Sequence, residues 1–242
     1  AATAAGVPCD CLPDHMIGRI RGLRAAVRTA RIVHLHIWSP WYPLALAEVG
    51  SAGRVVAHLH LCPATRTHGG SLRSRISRMS DRWIFAQCTR IISITEWVAQ
   101  EWRAAGIPKS LPVDVIPNGI VIPDAVGNRP TGTVIGVACR LAKHKGLEEL
   151  MAALPSIARR IPSARLRIAG EGPLRAKLES LADRSPVPVE FLGHVTSMGA
   201  FWSSVDLSLF TAPYEPFGLR LIEPVAHGIP TVAYLNGTGS DE

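Results

Sequence analysis

Short apolar runs alternate along this chain with longer stretches of helical periodicity. Arg31-Ile-Val-His-Leu-His-Ile37 reads as a buried strand and Val55-Val-Ala-His-Leu-His60 as the next. Arg90-Ile-Ile-Ser-Ile94 predicts a third strand and Val113-Asp-Val-Ile116 a fourth. Helical patterns fill the gaps, notably over 72–87 and 96–105. Pro117-Asn-Gly119 is a turn signal, and residues 122–132 are rich in proline and glycine without periodicity. The rhythm then restarts. Strands are predicted over 133–139, 164–169, 189–192, 205–210 and 231–234, and helices over 146–160, 174–183, 197–204 and 219–227. Such alternation predicts βαβ units and parallel sheets. The expected organisation is α/β: two doubly wound domains, 1–121 and 133–242, joined by a linker over 122–132.

Composition narrows the classes. A chain of 242 residues with 47% hydrophobic and 19% charged residues can bury a core, which excludes disordered and fibrous proteins. A net charge of +7 favours anionic partners: nucleotides, phosphates, nucleic acid or an acidic membrane surface. The five cysteines are odd in number, and Cys9 and Cys11 form C-x-C rather than a zinc-binding C-x2-C. They read as free thiols of a reducing cytosol, with no metal bound. No apolar run reaches the ~20 residues of a membrane span, and no signal peptide is visible. The chain opens without Met and stops just after a predicted strand, so it reads as a fragment.

Candidate chemistry concentrates in the second half. In Glu215-Pro-Phe-Gly-Leu-Arg-Leu-Ile-Glu223, one acid sits on a loop leaving a strand and the other two turns into a helix. A helix start attracts anions, because its first N–H groups are unpaired and its dipole is positive there. A phosphate could rest on those N–H groups while the acids take sugar and ribose hydroxyls. Arg140 and Lys145, in Cys-Arg-Leu-Ala-Lys-His-Lys-Gly, follow the first strand of this half. They suit a diphosphate, although an ordinary basic loop would look the same. Gly170-Glu171-Gly172-Pro173 follows the next strand and reads as a turn. Phe191-Leu192-Gly193-His194 follows the third. In the first half, His58 and His60 share a face near the end of a strand, and His34 and His36 repeat the pattern one strand earlier.

Glu215 to Glu223 resembles the E-x7-E motif of retaining glycosyltransferases with two Rossmann-like domains, the GT-B fold. The chain is most similar to glycosyltransferase family 4, strongly over 133–239 and weakly over 1–110. The resemblance implies two doubly wound parallel-sheet domains, both incomplete at the chain ends. It implies transfer of a sugar from a nucleotide diphosphate sugar to a hydroxyl acceptor (a glycan, lipid or small molecule) with the anomeric configuration retained. Arg140 and Lys145 match R-x4-K-G, whose cations hold the leaving phosphates. Gly170, Glu171 and Gly172 match a turn lining the nucleotide cleft, and Leu192 and Gly193 a loop whose backbone reads the base. Glu223 would take the ribose hydroxyls and Glu215 the donor sugar. The backbone of Phe217, Gly218 and Leu219 would approach sugar and phosphate. His60 matches a histidine beside the transferred sugar. Asp206 also falls on a family position and reads as structural. Gly237, Thr238, Gly239 and Glu242 resemble the start of a Gly-rich loop, with Thr238 interrupting it. No tightly bound cofactor and no protein-bound metal are implied. Rival readings are a non-catalytic nucleotide- or carbohydrate-binding protein of this fold and a nucleotide-sugar epimerase.

One segment points elsewhere. Over 66–90, six arginines are interleaved with Ile76, Met79 and Trp83 at helical spacing. This is either a core-facing helix with a solvated basic face or, over 72–87, a peripheral contact with an acidic membrane or lipid-linked acceptor. Nucleic acid is not expected, since no base-stacking platform accompanies the charge. The expected location is cytoplasmic, at most peripheral at the inner membrane face.

Overall fold

The computed structural model describes residues 16–36, 54–63, 72–123, 132–234 and 239. Cys9, Cys11, Arg66, Gly237, Thr238, Glu242 and most of the expected linker lie outside the described residues. Chain contacts divide into two compact units, Ala1–Pro117 and Asn118–Glu242. The sequence set the first domain's end a few residues later, at 121.

The first unit is built on a four-stranded parallel sheet in the order β1-β2-β3-β4. The strands are Ile32–Leu35, Arg54–Leu59, Arg90–Ser93 and Val113–Val115. Helix α1 (Met16–Arg28) precedes β1, α2 (Leu72–Gln87) precedes β3 and α3 (Glu96–Ala105) follows it. Alternation along β2 decides which face is core: Val55, Ala57 and Leu59 are all buried, and the intervening residues are not. Helix α3 starts where Thr95 Oγ1 accepts the Val98 N–H at 3.1 Å, a side-chain cap for an otherwise orphaned donor. It then buries Val98, Ala99 and Trp102. The Trp102 indole N–H donates to the Leu61 carbonyl at 2.6 Å, and its ring meets Phe85 of α2 edge-on at 5.5 Å. Two helices are thereby fixed to the end of β2.

Two features depart from the sequence reading. Helix α1 was not predicted. In α2 the core contact is made by Ile84 and Phe85, while Ile76, Met79 and Trp83 are 51%, 71% and 37% exposed. The stripe at helical spacing therefore faces outward beside the exposed Arg75, Arg78 and Arg82.

The second unit carries a five-stranded, all-parallel sheet in the order β7-β6-β5-β8-β9. Its strands are β5 (Val134–Ala138), β6 (Arg165–Ala169), β7 (Val189–Gly193), β8 (Leu207–Phe210) and β9 (Thr231–Ala233). Helices α4 (Leu147–Arg160), α5 (Arg175–Ala182), α6 (Met198–Trp202) and α7 (Leu219–Ala226) connect them. Central β5 is buried over Ile135–Ala138, as expected of a parallel strand covered on both faces. On one face Ile135, Val137, Leu166 and Ile168 pack against Leu150, Leu154 and Leu178 of α4 and α5. On the other, Ala138 and Ala169 pack against Phe201, Trp202 and Val205. The strand order reverses between β5 and β8. Chain leaving these two strands diverges to opposite sides, which opens a crevice at their C-terminal ends.

Candidate functional site

The loops at that crevice are tied to one another mostly through the backbone. After β5 the chain passes Cys139 and Arg140 and enters a short 3-10 turn, Lys143–Lys145. Leu141 N–H donates to the Glu171 carbonyl at 2.9 Å, and Leu174 N–H donates back to the Leu141 carbonyl at 3.0 Å. Gly170 N–H donates to the Gly193 carbonyl at 2.7 Å. Thr211 Oγ1, just past β8, donates to the Lys145 carbonyl at 2.7 Å. The ends of β5, β6, β7 and β8 are thus linked in one network.

Two glycines are required for this approach. Gly146 has φ +66, and a Cβ there would stand 2.0 Å from the Thr211 carbonyl oxygen. Gly170 has φ +140, and a Cβ there would stand 1.9 Å from the Cys139 carbonyl oxygen. Only glycine combines such a φ with such proximity.

The predicted donor-site residues fall along this edge. Lys145 Nζ meets Glu215 Oε2 at 2.6 Å, with both side chains about four-fifths buried (19% and 21% exposed). This ion pair joins the loop after β5 to the loop after β8. Arg140 is exposed and has no ion-pair partner among the described residues. Glu215 leads through half-buried Phe217 to Gly218, the N-cap of α7, and then to Leu219, which is exposed. Glu223, further along the same helix, accepts from Arg220. Gly170, Glu171 and Gly172 form the turn after β6, where Glu171 pairs with Arg175 at 2.9 Å. The Leu192 side chain packs into the core, which leaves its backbone and that of Gly193 at the edge. His194 is exposed. Asp206 stands at the opposite end of the sheet, where its Oδ2 accepts the Val134 N–H at 2.7 Å.

His60 belongs to the first unit. Its Nε2 lies 3.1 Å from His36 Nδ1, and burial followed by the neighbouring imidazoles lowers its pKa. In the second unit, burial pushes the Cys139 thiol up to about 11, with Lys145 and then Arg220 opposing the shift. A buried thiol beside two cations remains a thiol at neutral pH.

Sequence reasoning missed three contributors. Arg220 holds the Glu223 carboxylate, and a basic residue three positions before an acid on one helix was the available signal. Thr211 fixes the Lys145 carbonyl, a contact across 66 residues with no local signature. Arg175 stands over the Phe191 ring at 5.3 Å and braces Glu171.

A five-stranded sheet in this order, with cations and acids at the switch point, defines a Rossmann-like class of domain. Comparison with known proteins gives the family. The profile of glycosyl transferases group 1 matches residues 132–242, and that of glycosyltransferase family 4 matches residues 3–122. The chain belongs to the glycosyltransferases that these two profiles describe. It is 30% identical over 213 residues to a glycogen synthase of Mycobacterium tuberculosis, covering 83% of this chain and 51% of that protein. It is 36% identical over 106 residues to a GDP-mannose-dependent alpha-(1-6)-phosphatidylinositol dimannoside mannosyltransferase of the same species, covering 43% of this chain and 27% of that one. The chain spans about half the length of the first of these relatives and less of the second. Among solved structures, Anabaena Alr3699/HepE in complex with UDP and glucose superposes with a TM-score of 0.79 at 18% identity, over 99% of this chain and 70% of that one. Sucrose-phosphate synthase from Thermosynechococcus elongatus superposes with a TM-score of 0.71 at 20% identity, over 90% and 59%. The fold is GT-B: two α/β domains with parallel sheets.

Proposed function

We propose that this chain serves a retaining glycosyltransferase reaction that moves a sugar from a nucleotide diphosphate donor to a hydroxyl acceptor. The observation that carries the reading is the Lys145–Glu215 pair, which brings a cation and a carboxylate together from two loops at the switch point. A diphosphate would take Lys145 and the exposed Arg140. Glu215, released from Lys145, would then orient the donor sugar, and Glu223, held by Arg220, would accept the ribose hydroxyls. Backbone groups of Leu192 and Gly193 would meet the base. Those of Phe217, Gly218 and Leu219 would face the sugar and phosphate, and the Gly170–Gly172 turn would line the cleft. His60 is assigned beside the transferred sugar on the family resemblance.

In this reaction the bond between the anomeric carbon and the diphosphate oxygen breaks, and its electron pair leaves with the diphosphate. The acceptor oxygen bonds to the anomeric carbon on the same face, and its proton passes to the departing phosphate. Preorganised cations lower such a barrier because charge builds on the leaving group. The relatives' names supply UDP and GDP donors as the first to test.

A lipid-linked acceptor is the second part of the reading. It is favoured by the outward stripe of Ile76, Met79 and Trp83 among arginines on α2, which would rest on an acidic membrane surface. No described helix is long and apolar enough to cross a membrane, and we place the reaction on the cytoplasmic side. Incubation with UDP-, GDP- and ADP-sugars, with the product's anomeric configuration read by NMR, tests the whole proposal. Turnover with retained configuration, and loss of turnover in Glu215→Gln, is expected. Inversion, or binding without any turnover, would overturn it in favour of another mechanism or a non-catalytic binder.

A further inference from the structure

The C-terminal end of the first sheet gathers four imidazoles. Strands β1 and β2 pair in parallel with His34 opposite Val56, so residues 34, 36, 58 and 60 fall on one face. It is the face away from buried Val55, Ala57 and Leu59. Ring centroids of His34 and His36 are 4.1 Å apart, those of His58 and His60 are 4.2 Å apart, and His34 stacks on His58 at 5.5 Å. The candidate ligand nitrogens of His34, His36 and His58 all lie within 4.8 Å of one another.

Two further observations point to a ligand. Both ring nitrogens of His58 are buried without a hydrogen-bond partner among the described residues. A buried donor or acceptor left unpaired is costly, so such a group calls for a partner. His36 Nδ1 is engaged with His60 Nε2 at 3.1 Å, which leaves His36 Nε2 for another bond. Metal-bound histidines are characteristically oriented in this way, through the ring nitrogen that does not touch the ion.

We infer that His34, His36 and His58 form a binding site for a divalent transition cation of the borderline-soft kind, represented by Zn2+, with His60 holding His36 in position. Three imidazole nitrogens select this class over Mg2+ and Ca2+, which take oxygen ligands. Metal–nitrogen bonds of about 2.0–2.1 Å set tetrahedral ligands roughly 3.4 Å apart. The three nitrogens close to that spacing by side-chain rotation of the exposed His34 toward His36 and His58. Three protein ligands leave a fourth position for water or a substrate oxygen.

The test is equilibrium dialysis of the chain against Zn2+ with the bound metal quantified, and Co2+ as a spectroscopic probe. The expected result is about one ion per chain, with affinity lowered more than ~100-fold in His58→Ala and about 10-fold in His60→Ala. His34→Ala, at an exposed position, provides a variant whose fold is readily kept and checked by circular dichroism, and it should also lose the ion. Binding that survives both His34→Ala and His58→Ala would overturn the site. So would a thiolate-to-cobalt charge-transfer band, which would assign the ion to cysteines. Absence of binding by the folded wild-type chain would overturn it as well.

Discussion

The two sheets present chemistry at their C-terminal edges in different ways. In the second unit the loops after β5, β6 and β7 are linked by backbone hydrogen bonds, the Thr211 hydroxyl ties the loop after β8 to the Lys145 carbonyl, and glycines at Gly146 and Gly170 allow the close approach. In the first unit the same edge displays side chains: four imidazoles stacked across two strands, with His36 and His60 in hydrogen-bond contact. A backbone-built edge is fixed before its ligand arrives, which suits a rigid polyanion such as a nucleoside diphosphate. A side-chain edge can rotate to meet what it binds. The comparison teaches that one architecture, repeated twice in a chain, can be preorganised in one copy and adaptable in the other.

The largest effect is expected from breaking the backbone-built edge. Gly170→Ala forces a Cβ against the Cys139 carbonyl at a φ that alanine avoids. It should destabilise the second unit by about 3 kcal/mol, measured by chemical denaturation. The His-bearing edge has no equivalent glycine among its described residues, and His34→Ala should leave stability nearly unchanged.

Removing a charge rather than a shape should come next. Lys145→Ala is expected to weaken nucleoside diphosphate binding about 10- to 100-fold, the worth of a charge-assisted contact. Glu215→Gln should instead strengthen binding of the free nucleotide a few-fold, because it releases Lys145 and removes a negative charge near the phosphates. Calorimetric titration of both variants checks the pair. Equal losses in the two would show that the ion pair is only structural.

Asp206→Ala sharpens the contrast between the two ends of one sheet. The Val134 N–H would lose its partner, costing roughly 1–2 kcal/mol of stability. Nucleotide affinity should be unchanged, since the contact is at the N-terminal end of β5. A tenfold loss of affinity would show that the site extends further than the crevice.

The smallest effect concerns Cys139. Its folded pKa is raised, so deprotonation waits until pH approaches about 11. At pH 8 about one molecule in a thousand carries the thiolate. A maleimide followed by peptide mass mapping should leave Cys139 unlabelled at pH 8 in the folded protein, with labelling rising steeply above pH 10. Ready labelling at pH 7 would mean the loop after β5 opens.

Much of the fold was legible in the sequence. Every strand and helix of the second unit was placed within a few residues, because buried parallel strands read as short apolar runs and their helices have a different period. Helix α1 was not, since Gly18 and Gly22 interrupt it, arginines dilute its apolar face and no acid marks its first turn. For α2 the sequence carried two apolar stripes, and only packing decided that Ile84 and Phe85 face the core. The site shows the same limit. Lys145 and Glu215 could be proposed from separate motifs, but their contact spans 70 residues. His58 and His60 share a face by local alternation, whereas their meeting with His34 and His36 depends on the register between β1 and β2.

The most direct test of the central claim is calorimetric titration of the chain with UDP, GDP and ADP beside its Arg140→Ala/Lys145→Ala variant. Tight binding of one nucleotide by the wild type, lost in the folded variant, is the predicted result and would also name the donor base. Binding of none of them by a folded wild-type chain, or equal binding by the variant, would contradict the donor-site assignment.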